Sequence, residues 1–329
     1  VSEARQTRDN HMTELALFGT DLFGEVVRPK ASGPVAERFT LPPFTILDAR
    51  AGEWQERKRA WAAMGIEGEV GRAGVHQYGM KEMVIVRQGR GFNGQGGEDG
   101  EQTAASVFDP VMVELAVRWF SPAGGQVVDP FAGGSVRGIV AGALGRRYWG
   151  CDLRAEQVAA NEVQAEDIAP SVRPVWVCGD SMETLPTAPE ADFVFSCPPY
   201  GDLEKYSDDP RDLSKMDWHA FVAAYKRIIL RAVGRMKPDT FACFVVGDFR
   251  DGRGFYRNFV STTIEAFEEC GARLYNEAIL ATPVGTAAMR VTKQFESGRK
   301  LAKTHQNVLV FCKGDWRAAA AKCNGIGNA

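Results

Sequence analysis

The sequence predicts an α/β fold: a doubly wound sheet of seven mostly parallel strands, helices on both faces, and a smaller N-terminal region. Three observations predict it. From residue 106 onward, short apolar runs alternate with helical stretches, the pattern of parallel strands joined by crossover helices. Acidic residues stand at the ends of the first three runs, where open α/β sheets bind their ligands. No helix suggests itself between the last two runs, so they read as an antiparallel pair that reverses the final strand.

The elements follow in chain order. A helix is predicted over 110–120. Strands are predicted over 126–128, 148–151, 174–177, 193–195, 241–246, 274–281 and 308–312, with helices over 135–145, 155–167, 217–236 and 256–270. This unit spans 106–315, and 316–329 reads as a C-terminal tail. Residues 1–11 end at His11-Met12, which resembles a cloning junction, and they are set aside. Residues 12–105 show no clear regular pattern and form an N-terminal region with a possible accessory or DNA-contacting role. Within it, 51–64 reads as a helix with Trp54 and Trp61 seven apart and Arg57, Lys58 and Arg59 between them. Docking of the tryptophans on the core is the favoured reading, and phosphate contact is the alternative. Residues 89–100 hold six glycines in twelve positions and read as a mobile loop at the boundary.

Composition narrows the function classes. Apolar residues are 45% and charged residues 25% of 329, which is ordinary for a globular protein and excludes wholesale disorder. No apolar run reaches the roughly 18–20 residues of a membrane helix, and no signal peptide is visible, so the expectation is a cytoplasmic protein. Seven cysteines without a C-x-x-C pair argue against a disulfide framework and against a zinc site. The formal net charge is −3, so a nucleic-acid partner needs a local basic patch.

The chemistry lies at the strand ends. The first strand runs into Asp129-Pro130-Phe131-Ala132-Gly133-Gly134-Ser135, an acid followed by glycines that let backbone approach a ligand. It is neither G-x-G-x-x-G nor a P-loop. The second strand ends at Asp152 and the third at Asp180. Acids there suit a ribose diol and an adenine amine, respectively. The fourth ends in Ser196-Cys197-Pro198-Pro199-Tyr200. Two prolines remove two N–H donors and fix an extended turn, leaving carbonyl oxygens followed by an aromatic ring.

These motifs resemble the DNA amino-methyltransferases that act on adenine N6 or cytosine N4. That family carries D-P-F-x-G-x-G at its first strand and [D/N/S]-P-P-[Y/F] at its fourth. The segment Phe108-Asp109-Pro110 sits where the family has a cofactor-binding segment before the first strand. The run 195–213 is similar to phage-encoded methylases, and such enzymes are frequent in bacteriophages and restriction–modification systems. The resemblance implies a class I S-adenosylmethionine-dependent methyltransferase fold over about 106–315. It places the cofactor at Phe108, Asp109, Pro110, Asp129, Phe131, Gly133, Gly134, Ser135, Asp152 and Asp180. It implies a flipped base, activated by the Pro198 carbonyl with Cys197 or Ser196 as second acceptor, and stacked on Tyr200; Pro199 completes the turn. No metal is implied. Two positions depart from the pattern: Ser135 replaces the second glycine, and Cys197 replaces Asp, Asn or Ser. A thiol is a poor acceptor.

Residues 282–306 hold Arg290, Lys293, Arg299, Lys300 and Lys303 against Glu296 and are the candidate phosphate contact. Double-stranded DNA is the expected partner. Two alternatives remain: methylation of an RNA guanine amine or a protein glutamine, and a degraded cofactor-binding module that binds or regulates DNA. The sequence does not specify an oligomeric state.

Overall fold

The computed structural model describes residue 35 and residues 39–66, 76–77, 108–201, 204–285 and 287–324. The glycine-rich stretch 89–100, residues 1–11 and most of 12–105 lie outside the described residues. In chain order the elements are β1 (Ile46–Asp48), α1 (Gly52–Ala63), β2 (His76–Gln77), α2 (Pro110–Phe120), β3 (Gln126–Asp129), α3 (Val136–Ala143), β4 (Arg147–Asp152), α4 (Ala155–Ile168), β5 (Val175–Cys178) and α5 (Ser181–Thr184). There follow β6 (Ala191–Ser196), β7 (Glu204–Lys205), α6 (Trp218–Arg235), β8 (Met236–Val246), α7 (Phe259–Glu269), β9 (Ala272–Ala281), α8 (Ala287–Gly298), β10 (His305–Lys313) and α9 (Trp316–Cys323).

Eight strands form one sheet in the order β5-β4-β3-β6-β8-β10-β9-β1, and β2 pairs with β7 apart from it. Strands β5, β4, β3, β6 and β8 are parallel. Strand β10 is antiparallel to both β8 and β9, which is the reversal expected of the last run. The chain winds outward from β3 through β4 and β5, then returns to place β6 on the other side of β3. That reversal opens a crevice beyond the strand ends.

Both faces of the sheet are covered, so its central strands read as continuous apolar runs. Val127, Phe193, Phe195, Cys243 and Val245 pack in one core with residues of α1, α2 and α3. Val128, Val194, Ala242, Phe244 and Val246 pack in the other with residues of α6 and α7. Several helices start on an aspartate cap. The Asp109 carboxylate accepts the Val111 amide ahead of α2, with Pro110 in the first turn. Asp217 accepts the His219 and Ala220 amides ahead of α6.

The structure differs from the expectations at three places. Helix α8 occupies the connection between the last two strands, which the sequence reading leaves without a helix; its residues are mostly exposed, so no buried stripe marks it. The segment 41–66, grouped with the N-terminal region, adds β1 as an edge strand parallel to β9 and places Trp54 and Trp61 in the main core. In the stretch read as a tail, α9 buries Ala319 in that same core.

The tryptophans of α1 dock on the core, and the helix carries one buried ionic cluster. Glu114, in the middle of α2, accepts from Arg57 Nε at 3.0 Å, Trp61 Nε1 at 2.8 Å and Arg118 Nε at 3.0 Å, and also bonds Arg57 Nη2. Burial alone would raise the carboxyl, but Arg57 and Arg118 outweigh it and hold Glu114 at about 2. Removing one partner of a buried ion pair leaves the other without its counter-charge. Glu114→Ala is therefore expected to cost about 3–5 kcal/mol in urea unfolding. Because the folded-state carboxyl lies below its unfolded value, the stabilisation is full above the unfolded value of 4.5 and is lost as pH falls towards 2. An acid titration of stability should show that loss in the parent protein and not in the variant.

Candidate active site

One carboxylate ties the ends of β3 and β6 to strand β4 and the start of α3. Asp129 is 0% exposed. Its Oδ1 accepts from the Phe131 amide at 3.1 Å and Ser196 Oγ at 2.5 Å. Its Oδ2 accepts from Arg137 Nε at 2.6 Å and Tyr148 Oη at 2.8 Å. Arg137 donates onward to the carbonyls of Phe131 and Ala132 and lies 4.9 Å over the Phe108 ring. Burial opposes the charge on Arg137, yet Asp129 beside it holds the guanidinium above its ordinary range. Burial, followed by the Asp129 charge, pushes the Tyr148 phenol well above its own.

Above this knot lies a cavity of about 590 Å³, the size of a small-molecule site. One part is walled by Phe108, Asp109, Phe131, Gly133, Gly134, Asp152, Gln157 and Asp180. Gly133 has φ +50, a conformation most side chains avoid. Its amide donates to Asp152 Oδ2 at 3.0 Å, and its carbonyl accepts from Asn161 Nδ2 at 2.7 Å. Gln157 in turn donates to Asn161 Oδ1. Asp152 Oδ1 accepts the Arg154 amide at 2.9 Å. Each Asp152 oxygen thus takes a backbone N–H and retains acceptor capacity, while burial pushes the carboxyl above its usual value. Asp180 caps α5 by accepting the Met182 amide at 2.8 Å. Asp109 is paired to Lys58 Nζ at 2.9 Å, so Lys58 of α1 serves the wall of the cavity.

The other part of the wall is Cys197, Pro198, Pro199 and Tyr200. The Tyr200 hydroxyl accepts from Gln306 Nε2 at 2.7 Å. Its ring meets Phe249 and Phe259 edge-on at 6.2 and 6.0 Å. Burial, with Cys197 nearby, drives its phenol well above the ordinary value. The ring is therefore neutral and braced. Tyr206, Ser207, Pro210, Arg211 and Leu213, from the loop after β7, also line the cavity.

Four expected site residues sit behind this wall instead of on it. Asp129 and Ser196 are consumed by each other in the knot. Ser135 is buried and bonded to Gln164. Pro110 is buried in the first turn of α2. In each case a polar or rigid residue supports the loop that carries the neighbouring wall residue.

The basic stretch is partly gathered at the site. Lys303 lies against Gly247, where a Cβ would stand 3.3 Å from Lys303 Cε and 3.8 Å from Tyr200 Cε1. Lys300 lies against Gly254 in the same way. Arg299 follows α8 at φ +52, with its guanidinium 5.2 Å over Phe295. Lys293 is exposed on α8, and the side chain of Arg290 is outside the described residues. Residues that the sequence reading does not single out are Arg137, Tyr148, Gln157 and Gln306. Arg137 follows Asp129 by eight positions, a visible charge pair; the other three come from elements whose neighbours only the fold defines. Among the described residues no cluster of three His, Cys, Asp or Glu is placed to hold a metal, the cysteines are free, and no helix is long and apolar enough to cross a membrane.

No protein-family model matches the chain, and no curated protein matches it. Solved structures do. TrmN from Thermus thermophilus matches at 15% identity and a TM-score of 0.43, over 63% of this chain and 49% of its own. The magnesium protoporphyrin IX methyltransferase ChlM from Synechocystis PCC 6803 with bound SAM matches at 11% and 0.40, over 62% and 79%. The precorrin-6y C5,15-methyltransferase from Geobacter metallireducens matches at 11% and 0.42, over 65% and 93%.

The knot yields a prediction. Asp129→Ala leaves Arg137 buried without its counter-charge and frees Tyr148 and Ser196, at an expected cost of about 3–5 kcal/mol in denaturant unfolding. Asp152→Ala, on the cavity wall, should change stability far less. Equal losses from the two would contradict the separation of knot and wall.

Proposed function

We propose that this chain transfers a methyl group from S-adenosylmethionine to an exocyclic amino nitrogen of a DNA base, adenine N6 or cytosine N4. One observation carries the reading. The acid-and-glycine wall and the Cys197-Pro198-Pro199-Tyr200 turn face a single cavity, so a nucleoside cofactor and a planar amine fit side by side. The donor set suits the cofactor. Asp152 keeps acceptor capacity for a ribose diol, Asp180 for an adenine amine, and Phe108 and Phe131 offer aromatic surface. Bound there, S-adenosylmethionine supplies an electrophilic methyl group.

The chain's own residues prepare the amine. An exocyclic nitrogen shares its lone pair with the ring and is a weak nucleophile. Acceptors for both of its N–H groups draw it towards sp³ geometry and free the lone pair. The Pro198 carbonyl is one acceptor. The wall position for the second is Cys197, since Ser196 is bound to Asp129 behind it. Tyr200, braced by Phe249, Phe259 and Gln306, holds the base plane. The base leaves the duplex to enter, and Lys303 beside Tyr200 and Lys300 against Gly254 meet backbone phosphates. Positioning and electrostatics supply the rate. The thiol at 197 also favours a second reading, a module that binds cofactor and DNA without transferring methyl groups.

Calorimetry and single-turnover transfer test the assignment. Asp152→Ala should weaken binding of the demethylated cofactor by about 1–3 kcal/mol, the cost of unpaired polar groups; unchanged affinity in a folded variant removes Asp152 from the site. Tyr200→Ala should bind cofactor normally and lose transfer to duplex DNA, since base stacking is worth about 1–3 kcal/mol. Cys197→Ser should keep or raise the rate. An inactive parent restored by Cys197→Asp would favour the second reading.

A further inference from the structure

Of the turn between β8 and α7, residues 248–257, the reading above uses only Phe249, which braces Tyr200. Its sequence is Asp248-Phe249-Arg250-Asp251-Gly252-Arg253-Gly254-Phe255-Tyr256-Arg257, three arginines against two aspartates. The backbone closes on itself. The Asp251 amide donates to the Phe255 carbonyl at 2.8 Å, the Gly254 amide to Asp251 at 2.9 Å and the Arg257 amide to Phe249 at 2.9 Å. Arg250 bridges Tyr256 in antiparallel fashion. The side chains brace it further. Arg250 lies 4.0 Å over the Tyr256 ring and donates to the Gly254 carbonyl at 2.8 Å.

Both aspartates accept backbone amides, Asp251 within the turn and Asp248 from the first turn of α7. Asp251 Oδ1 accepts the Arg253 and Phe255 amides at 3.0 and 2.9 Å, and its Oδ2 lies 3.4 Å from Arg253 Nε. Asp248 accepts the Val260 amide at 3.3 Å. Two arginines turn inward, Arg250 over Tyr256 and Arg257 5.0 Å over the Trp218 ring; Arg253 faces outward, its side chain 87% exposed, and the exposed Lys300 lies along Gly254. At the tip, Phe255 is 71% exposed. The next residue, Tyr256, is 43% exposed as well, so the exposed aromatic surface of the tip extends beyond a single ring. The turn also touches the site. Phe249 at its base packs edge-on against Tyr200 at 6.2 Å, and a Cβ on Gly201 would meet the Phe249 ring at 3.0 Å.

We infer that this turn is a DNA-probing element: Phe255 stacks against a base of the duplex next to the one drawn into the cavity, while Arg253 and Lys300 hold the flanking phosphates. The inference rests on the DNA reading above and adds its contact surface. Three features select this occupant. An outward cationic rim complements a polyanion. An exposed aromatic ring accepts any base face. And a base step opened by extrusion offers a gap that an apolar wedge can fill.

The test is fluorescence anisotropy of the full chain with a labelled random-sequence DNA duplex, titrated at several salt concentrations. The parent protein is compared with Phe255→Ala, Phe255→Trp and Arg253→Gln, each checked by calorimetry for unchanged binding of demethylated cofactor. Phe255→Ala should bind about tenfold more weakly at an unchanged salt slope, and Phe255→Trp should restore affinity. Arg253→Gln should reduce the slope of log affinity against log salt by about one. Parental affinity and slope in both Phe255→Ala and Arg253→Gln would overturn the inference and leave the DNA reading standing. A parent protein that binds cofactor but no duplex would remove the DNA reading itself, and this inference with it.

Discussion

Everything at the site hangs from the Asp129 carboxylate. Four donors converge on it, from the Phe131 loop, helix α3, strand β4 and the end of β6, at a position fully buried from solvent. A buried carboxylate is tolerable only with such partners. The partners in turn fix what surrounds them. Arg137 pins the Phe131 and Ala132 carbonyls, which sets the glycine loop. Ser196 pins the end of β6, from which Cys197, Pro198, Pro199 and Tyr200 depart. Both halves of the cavity therefore inherit their relative position from a single charged group.

The same logic explains why acids at three strand ends differ in role. Asp129 is saturated and supports. Asp152 takes two backbone amides and keeps lone pairs for a ligand. Asp180 caps a short helix with one oxygen. Their spacing along the chain is similar; their depth relative to the sheet is not. The α1–α2 contact shows a parallel case, with Glu114 holding Arg57 and Arg118 inside the core. Through Lys58 and Asp109 that contact also reaches the cavity wall.

Much of this was legible in the sequence. The alternation of apolar runs and helices gave strand positions to within a few residues, because strands covered on both faces need unbroken apolar runs. The reversal of β10 was expected because no helix suggests itself between the last two runs; α8 lies there nonetheless, and with its residues mostly exposed it left no periodic trace. Strand β1 was illegible because three residues carry no period, and its partner β9 lies more than two hundred positions away. At the site, most of the expected cofactor and turn residues gather round one cavity, but their depth is not legible from the chain. A sequence shows that Asp129 and Ser196 are close to the chemistry, but only packing shows that they bond to each other behind the wall. Gln306 and Tyr148 needed the register of β10 and β4 to be found. The turn at 248–257 is not singled out by the sequence reading, which starts a helix at 256; its exposure and its contact with Tyr200 emerge only from the fold.

The central claim is that one cavity joins a methyl donor to the amino group of a DNA base. Its most direct test is transfer of isotopically labelled methyl from S-adenosylmethionine, offered duplex DNA, tRNA and protein in parallel, with digestion of the product to single nucleosides or amino acids. The account predicts label in DNA, recovered as N6-methyladenine or N4-methylcytosine. Label confined to RNA or to glutamine, or recovered on a ring carbon, would contradict it.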